Sequence, residues 1–273
     1  MRAAVLTYHS QNVNGNTYAT NDHVALAKDL AFLARTGWNI VSARTLVAAL
    51  VAGFETLVPE RSIALTCDDG TVLDWEDFKH PVHGFQLSFR NIVQQAVRDG
   101  LNAPSRGAMT SFVIASSEAH AAIDATQHAG IRITSDAWWG DAVRDGTFDL
   151  GCHSWDHCAS GLPEEKRAFV VESAFKEISK LEHADQQVRV AGEHIRQRCA
   201  DPSQAVLFAY PYGETSPLLL ETYMPHHKHG MEAAFTDGAA PVTRDTSRWA
   251  IPRYVCGAHW KDSMGLINIL REL

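Results

Sequence analysis

Residues 62–70 read SIALTCDDG, and this stretch indicates how the chain folds. Ser62–Cys67 is rich in apolar and β-branched side chains, which is typical of a strand buried inside a sheet. Asp68 and Asp69 then add two adjacent carboxylates, and Gly70 permits a sharp turn. A buried strand that ends in charged side chains is typical of parallel α/β folds, which collect functional groups at the carboxyl edge of the sheet.

Short apolar segments alternate with longer amphipathic ones on both sides of this stretch. Ala3–Tyr8 predicts a first strand, and the following helix is capped by Asn21 or Asp22 and ends at Gly37. Further strands are predicted at Asn39–Val41, Thr110–Ala115, Asp149–Cys152, Ala205–Tyr210, Met231–Phe235 and Ile251–Cys256. Further helices are predicted at Thr45–Ala52, Phe85–Arg98, Glu118–His128, Glu164–Cys199 (interrupted near Asp185), Leu218–Met224 and Ser263–Arg271.

This alternation predicts βαβ units around a parallel sheet, and a closed or nearly closed (β/α) barrel is the favoured architecture. A doubly wound open sheet is the competing architecture. No strand is followed by a GxGxxG or GxxxxGK[ST] motif, so nothing in the sequence supports a nucleotide-binding fold.

The composition is that of a globular enzyme in one domain spanning residues 1–273. Hydrophobic residues make up 45% of the chain, and no Pro- or Gly-rich linker divides it. The formal net charge of −8 argues against nucleic acid or an anionic membrane as a partner. Five scattered cysteines and an N-terminal segment with only a short apolar run predict a cytoplasmic protein with reduced thiols. The oligomeric state is left open.

Three polar motifs fall at the ends of predicted strands: Asp68-Asp69-Gly70, the segment from His153 to His157, and Phe208–Gly213. For two adjacent carboxylates alone a solvated turn is the favoured interpretation, and two histidines alone could be unrelated. Together, one Asp and two His make an open three-ligand site for zinc or a similar metal, and the second Asp is placed to act as a general base.

These motifs resemble those of the polysaccharide deacetylases, carbohydrate esterase family 4, which carry the NodB homology domain. Leu65–Gly70 resembles the first family motif, TFDDG, with Cys67 in place of Phe. His153–His157, HSWDH, is similar throughout to the second motif, H[ST]xxH. Phe208–Gly213 resembles the third, which ends in Pro-Tyr-Gly. The order and spacing of the motifs extend the resemblance over nearly the whole chain.

The resemblance implies a distorted (β/α) barrel of seven or eight parallel strands. It also implies a bound divalent metal ion, with zinc the first expectation and cobalt, nickel or manganese the alternatives. The implied metal ligands are Asp69, His153 and His157.

The same resemblance assigns catalytic roles. Asp68 would be the base that activates the metal-bound water. The backbone N–H of Tyr212, beside Pro211, would bind the oxyanion or substrate, and a general acid would protonate the leaving amine.

Two family features are missing from their usual places. Many members carry an Arg in the third motif that steadies the base, but the matching residue here is Ala209. Arg253 in the last predicted strand could reach the same carboxylate and orient it, or it could be an ordinary Arg at a strand edge.

The family's last motif, Leu-x-x-His, supplies the general acid and has no strict copy. The closest match is Cys256–His259, so His259 is the predicted acid. His226, His227 and His229 form an alternative cluster in a helix-to-strand connection, where a solvated polar loop is the better interpretation.

Other residues have two interpretations. Trp138 and Trp139 could stack on sugar rings, although core packing is favoured for the pair. The charged loop after the first motif could line a substrate cleft or be solvated; its members are Asp74, Trp75, Asp77, His80 and His83. Cys152 and Cys158 are expected to be thiols outside the metal site, and Asp156 could support a ligand imidazole or face water.

The favoured function is a metal-dependent hydrolase that removes an N-acetyl group, through a linear amide C–N bond, from an amino sugar or glycan. A second hypothesis keeps the chemistry but takes a small amide or imide as substrate, as relatives of the fold do. A third is a catalytically inactive glycan-binding domain.

Overall fold

A mixed and mostly parallel sheet forms the centre of the protein in the computed structural model, which describes residues 1–128, 130–158 and 175–273. The strands of the described residues, in chain order, are β1 (Arg2–Tyr8), β2 (Asn39–Ile40), β3 (Ser62–Cys67), β4 (Phe78–His80), β5 (Gly84–Gln86), β6 (Met109–Val113), β7 (Phe148–Cys152), β8 (Leu207–Ala209), β9 (Ala233–Thr236), β10 (Val242–Thr243), β11 (Ile251–Pro252) and β12 (Tyr254–Val255). The order across the main sheet is β10-β1-β3-β6-β7-β8-β9-β11, and β4 pairs with β5 in a separate antiparallel hairpin.

The last strands bring the two ends of the sheet together. β11 pairs in parallel with β9, whereas β12 pairs in parallel with β1, where Leu6 faces Tyr254. Because Arg253 is the residue between these two short strands, one extended segment crosses from the last strand of the sheet to the first. The sheet is therefore nearly closed into a barrel, and the doubly wound alternative is wrong.

The α-helices are α1 (Asp22–Thr36), α2 (Ala43–Ala52), α3 (Phe89–Arg98), α4 (Ser117–Gln127), α5 (Trp139–Asp145), α6 (Leu181–Asp185), α7 (Ala191–Cys199), α8 (Met224–His226) and α9 (Ser263–Leu270). Two π-helical segments, Gln186–Val190 and Leu218–Tyr223, lead into α7 and α8. Short 3₁₀ turns include Val72–Asp74 and Pro211–Gly213.

Local signals explain the elements that the sequence predicts well. The side chain of Asn21 accepts the backbone N–H groups of His23 and Val24 at the start of α1, and Gly37 ends the helix in the left-handed conformation, with φ of 73°. Strand β3 has the predicted bounds, Ser62–Cys67.

Two predicted helices differ from the structure. The helix expected from Phe85 begins at Phe89, because Ser88 caps it by accepting the backbone N–H of Asn91, and Gly84–Gln86 belongs to the hairpin. Of the helix predicted over Glu164–Cys199, residues 164–174 lie outside the described residues. The helix runs through 181–199, and it changes from α to π after Asp185, where the sequence predicts an interruption.

Alternate side chains of the strands pack on opposite faces of the sheet. One set contacts the surrounding helices, as Leu6 of β1 does with the core that includes Leu26 of α1. The other set fills the barrel interior, where the rings of Phe112 and Phe235 lie 5.5 Å apart and residues of α2 close the base. Apolar side chains thus cover both faces of the sheet. The polar motifs follow the strands, at the carboxyl edge.

Among the described residues, none of the helices has the length and apolar character that crossing a bilayer requires.

Candidate active site

A tight turn after β3 places both aspartates at the carboxyl edge of the barrel. Asp69 and Gly70 both have left-handed backbone conformations, with φ of 72° and 62°. A Cβ atom on Gly70 would lie 2.8 Å from the Cα of Val113 in the neighbouring strand, so a side chain at this position would meet backbone. The turn therefore requires glycine, and it directs the two carboxylates toward the end of β7.

Asp69, His153 and His157 converge at this edge, as the sequence predicts. The Nε2 atoms of His153 and His157 lie 3.7 Å and 3.4 Å from Oδ1 of Asp69, and the possible ligand atoms of all three residues lie within 4.8 Å of one another. Two imidazole nitrogens and a carboxylate oxygen are a donor set that zinc and similar divalent ions prefer. The residues present therefore fit a divalent metal ion.

Both histidines direct Nε2 toward Oδ1 of Asp69. Nδ1 of His153 lies 2.8 Å from the carbonyl oxygen of Ala209, to which it donates its proton, so the lone pair of Nε2 points into the site. Burial lowers the pKa of His157 to about 4, and the charge of Asp69 only partly opposes this effect. His157 is thus neutral near pH 7, and the hydrogen bond of His153 Nδ1 leaves its Nε2 facing the site.

Asp68 is held by Arg253, which is one of the two alternatives that the sequence leaves open for this arginine. Two guanidinium nitrogens of Arg253 donate to the two carboxylate oxygens of Asp68 at 2.7 and 2.8 Å, and the same guanidinium donates to Asp237 at 2.9 Å. Burial opposes ionisation of Asp68, but the charge of Arg253 outweighs it and holds the pKa of this carboxyl well below its usual range. The site therefore contains an ionised carboxylate next to the three candidate metal ligands.

The third motif forms the other wall of the site. Tyr212 has a left-handed backbone, with φ of 56°, and its ring lies 4.7 Å from that of His157. Pro211 is buried, and its carbonyl accepts the backbone N–H of Glu214 at 3.0 Å. A Cβ on Gly213 would lie 2.8 Å from the backbone nitrogen of Asp237. Glycine therefore lets this turn pack closely against Asp237, which also accepts a hydrogen bond from Arg253.

His9 and Gln11 are site residues that the sequence analysis missed. Gln11 donates its side-chain amide to Oδ2 of Asp69, on the oxygen opposite the one that faces the histidines. His9 is partly buried, and no residue in the described ranges hydrogen-bonds to its buried Nδ1 atom. Burial lowers the pKa of His9, but the charges of Asp69, Asp68 and Asp22 outweigh it, so the net shift is upward.

A sequence signal for His9 did exist. Tyr8 of β1 pairs with Cys67 of β3 in parallel register, so the residues that follow the two strands are neighbours. His9 therefore stands beside Asp68 because adjacent parallel strands end at the same edge.

The predicted acid, His259, lies on the surface, without a contact to the two aspartates or the site histidines among the described residues. Its side chain is exposed, Nδ1 accepts the backbone N–H of Val255 at 2.8 Å, and its ring lies 6.4 Å from that of Tyr254. His229 of the alternative cluster is buried and lies 2.9 Å from the carbonyl of Met224, while His227 stacks on Tyr223. None of these contacts, within the described ranges, is with the two aspartates or the metal-site histidines.

The remaining candidates mostly stabilise the fold. Trp138 and Trp139 are buried in the core, the interpretation that the sequence analysis favoured. Asp74 is also buried and accepts the Ser111 hydroxyl at 2.7 Å, so it is neither solvated nor exposed in a cleft. Asp77 accepts the backbone N–H of Ser88 at 2.7 Å, ahead of α3. Burial raises the pKa of Cys152 to about 12, as expected of a thiol outside the metal site.

The loop residues that remain are only partly buried. The rings of His80 and His83 stack at 4.6 Å, and Trp75 lies under the guanidinium of Arg90 at 4.1 Å. Cys158 donates its backbone N–H to the buried carboxylate of Asp156.

Comparisons with known proteins identify the fold. No protein-family model matches the sequence, and no curated protein matches it. Solved structures do match. A Streptococcus pyogenes deacetylase, PplD, solved in complex with acetate, has a TM-score of 0.66 at 11% identity, over 99% of this chain and 98% of that one. A polysaccharide deacetylase from Bacillus cereus has a TM-score of 0.63 at 11% identity, over 99% and 69% of the two chains.

The chain has the polysaccharide deacetylase fold. A de-N-acetylase from Aggregatibacter actinomycetemcomitans is a further match, with a TM-score of 0.64 at 16% identity over 98% of this chain and 100% of that one. At these identities the likeness establishes the fold, so the resemblance inferred from the motifs is confirmed at that level.

Proposed function

We propose that this protein is a metal-dependent hydrolase that removes N-acetyl groups from an amino sugar or glycan. The observation that carries the proposal is the convergence of Asp69, His153 and His157 beside an ionised Asp68, at the carboxyl edge of a polysaccharide deacetylase fold. Three protein ligands leave room for substrate, which distinguishes a catalytic metal site from a closed structural one.

The proposed metal is a divalent ion, with zinc first and cobalt, nickel or manganese as alternatives, held by Asp69, His153 and His157. Such an ion, when bound, polarises the amide carbonyl and makes water a stronger nucleophile near neutral pH. Gln11 would support Asp69 through the oxygen that faces away from the histidines.

Asp68 would accept the proton of the attacking water. Arg253 keeps this buried carboxylate ionised and fixes both of its oxygens, so the acceptor is oriented before substrate arrives. Arg253 thus supplies, from the segment between β11 and β12, the contact that family members make from the third motif.

The turn at Pro211 and Tyr212 would hold the developing oxyanion. The hydrogen bonds that close the turn use the N–H groups of Gly213 and Glu214, and the N–H of Tyr212 takes no part in them. An oriented backbone N–H beside the metal ligands would stabilise negative charge on the substrate oxygen.

Two histidines are candidates for the acid that protonates the leaving amine. His259 is the candidate that the family motif suggests. His9 is favoured by its position, because it is partly buried, follows β1 beside Asp68 at the end of β3, and has a raised pKa. A protonated imidazole at that position could give its proton to the amine as the C–N bond breaks.

The substrate class is tested by acetate release from N-acetylglucosamine oligomers, measured in parallel with hydrolysis of cyclic amides and imides. Acetate release that requires the metal and is lost in His153→Ala supports the proposal. Turnover of the cyclic compounds alone would favour the small-amide hydrolase, and tight oligomer binding without turnover would favour a glycan-binding domain.

We also propose a reducing, cytoplasmic location, which fits the reduced thiols of Cys67, Cys152, Cys199 and Cys256.

A further inference from the structure

The helix that ends in α7 contains a π-helical segment, Gln186–Val190, next to the metal site. A π turn inserts a residue into a helix and changes which side chains face inward, and such turns are frequent at functional sites. Gln187 lies in this segment, and its side chain is completely buried. A buried amide must find hydrogen-bond partners, so its contacts show what the π turn positions.

Among the described residues, the side-chain hydrogen-bond partners of Gln187 lie in the loop between the two metal-site histidines. Its Oε1 accepts the backbone N–H of Trp155 at 3.0 Å and is 3.4 Å from that of Asp156. Its Nε2 donates to Oδ1 of Asp156 at 2.8 Å. The amide oxygen and the amide nitrogen of Gln187 therefore both hydrogen-bond to the loop that joins His153 to His157.

This loop needs such support because its backbone is unusual. Ser154, His157 and Cys158 all have left-handed conformations, with φ of 72°, 57° and 50°, which residues other than glycine rarely adopt. Within the loop, Ser154 Oγ accepts the N–H of His157 at 2.9 Å, and Asp156 accepts the N–H of Cys158 at 3.0 Å. Gln187 links this strained turn to a helix outside it.

We propose that Gln187 is a positioning residue for the metal site: through Trp155 and Asp156 it holds the strained turn that presents His157 next to His153 and Asp69. This inference rests on the proposed metal-dependent function. The π turn is the structural device that directs Gln187 at the loop, and a side chain of similar size without an amide would leave His157 free to move away from the other two ligands.

The test is the affinity of the metal-stripped protein for Zn²⁺, measured by competition with a chromophoric chelator. Gln187→Met keeps the length of the side chain but removes its hydrogen bonds. Gln186→Met, at a half-buried neighbour in the same π segment, is the matched control. We expect Gln187→Met to weaken Zn²⁺ binding by about 10- to 100-fold, as loss of such supporting contacts typically does, and the control to bind like the wild type.

A second variant separates positioning from folding. Gln187→Glu keeps an acceptor for the loop N–H groups but places a carboxylate against Asp156. Adding Asp156→Asn restores a donor to that pair, so the double variant should regain part of the Zn²⁺ affinity that Gln187→Glu loses. A purely structural role would lower the thermal stability of the metal-free variants and leave the affinity of the folded protein unchanged.

Wild-type affinity in both Gln187→Met and Gln187→Glu would overturn the inference while leaving the proposed function intact. Failure of the wild type itself to bind Zn²⁺ or another divalent ion would overturn the proposed function, and the inference with it.

Discussion

Replacing Arg253 with methionine removes the guanidinium that holds the proposed base, Asp68. The side chains of this pair are 0% and 5% exposed, and they meet through two hydrogen bonds of 2.7 and 2.8 Å. Removing one partner of a buried ion pair costs about 3–5 kcal/mol, because the remaining charge is left without compensation. Asp237, at 2.9 Å from the same guanidinium, loses its partner as well.

The same loss should move the acid limb of the pH–rate profile. In the wild type the folded pKa of Asp68 lies below its ordinary value of 3.8, so the ionised group contributes stability above about pH 4 that is lost as the pH falls. Without Arg253, burial raises this pKa instead. One pKa unit corresponds to about 1.4 kcal/mol, so the acid limb should move upward by about two to four pH units.

Two measurements check this prediction: urea unfolding of the metal-free protein and the pH–rate profile of acetate release. Arg253→Lys keeps the charge but cannot make the paired contact, so it should fall between the wild type and Arg253→Met. If Arg253→Met unfolds within about 1 kcal/mol of the wild type, as expected for an exposed ion pair, and keeps its acid limb, the assigned role of Arg253 is refuted.

Three further predictions concern the site and its surroundings. Asp68→Asn should abolish acetate release with the metal still bound, because the amide cannot accept a proton; metal loss on dialysis would instead make Asp68 a ligand. His9→Gln should lower amide turnover by about a hundred- to ten-thousandfold and His259→Gln should have little effect, and the reverse ranking would assign the acid to His259. Burial raises the folded pKa of Asp74 from 3.8 to about 6, so ionisation of this group should lower the free energy of unfolding by about 3 kcal/mol as the pH rises from about 4 to 6. Asp74→Asn should remove this pH-dependent loss of stability. The exposed control Asp245→Asn should keep the wild-type slope, and an unchanged slope in Asp74→Asn would show that Asp74 does not titrate in this range.

The sequence predicts elements whose signals are local. Ser62–Cys67 is a continuous apolar run that ends at two aspartates and a glycine, and its strand has the predicted bounds. Asn21 and Gly37 bracket α1 as expected of a helix cap and a left-handed stop. By contrast, Ser88 competes with the helical pattern that begins at Phe85, and capping by Ser88 decides where α3 begins.

Contacts between distant segments were harder to predict. Arg253 was singled out only because a family feature was missing at Ala209. Its actual position depends on a segment that pairs with β9 on one side and β1 on the other. His9 was missed because its proximity to Asp68 follows from the register of β1 against β3, and Gln187 was missed because a π turn has no simple sequence signature.

The most direct test of the central claim is a titration of metal-stripped protein with Zn²⁺ during acetate release from an N-acetylglucosamine oligomer. We expect the rate to rise linearly and to level off at one ion per chain, because Asp69, His153 and His157 form one ligand set. His153→Ala should show no such rise, since too few donors remain to hold the ion. Undiminished acetate release by the stripped protein in excess chelator, or a wild-type response from His153→Ala, would contradict the claim.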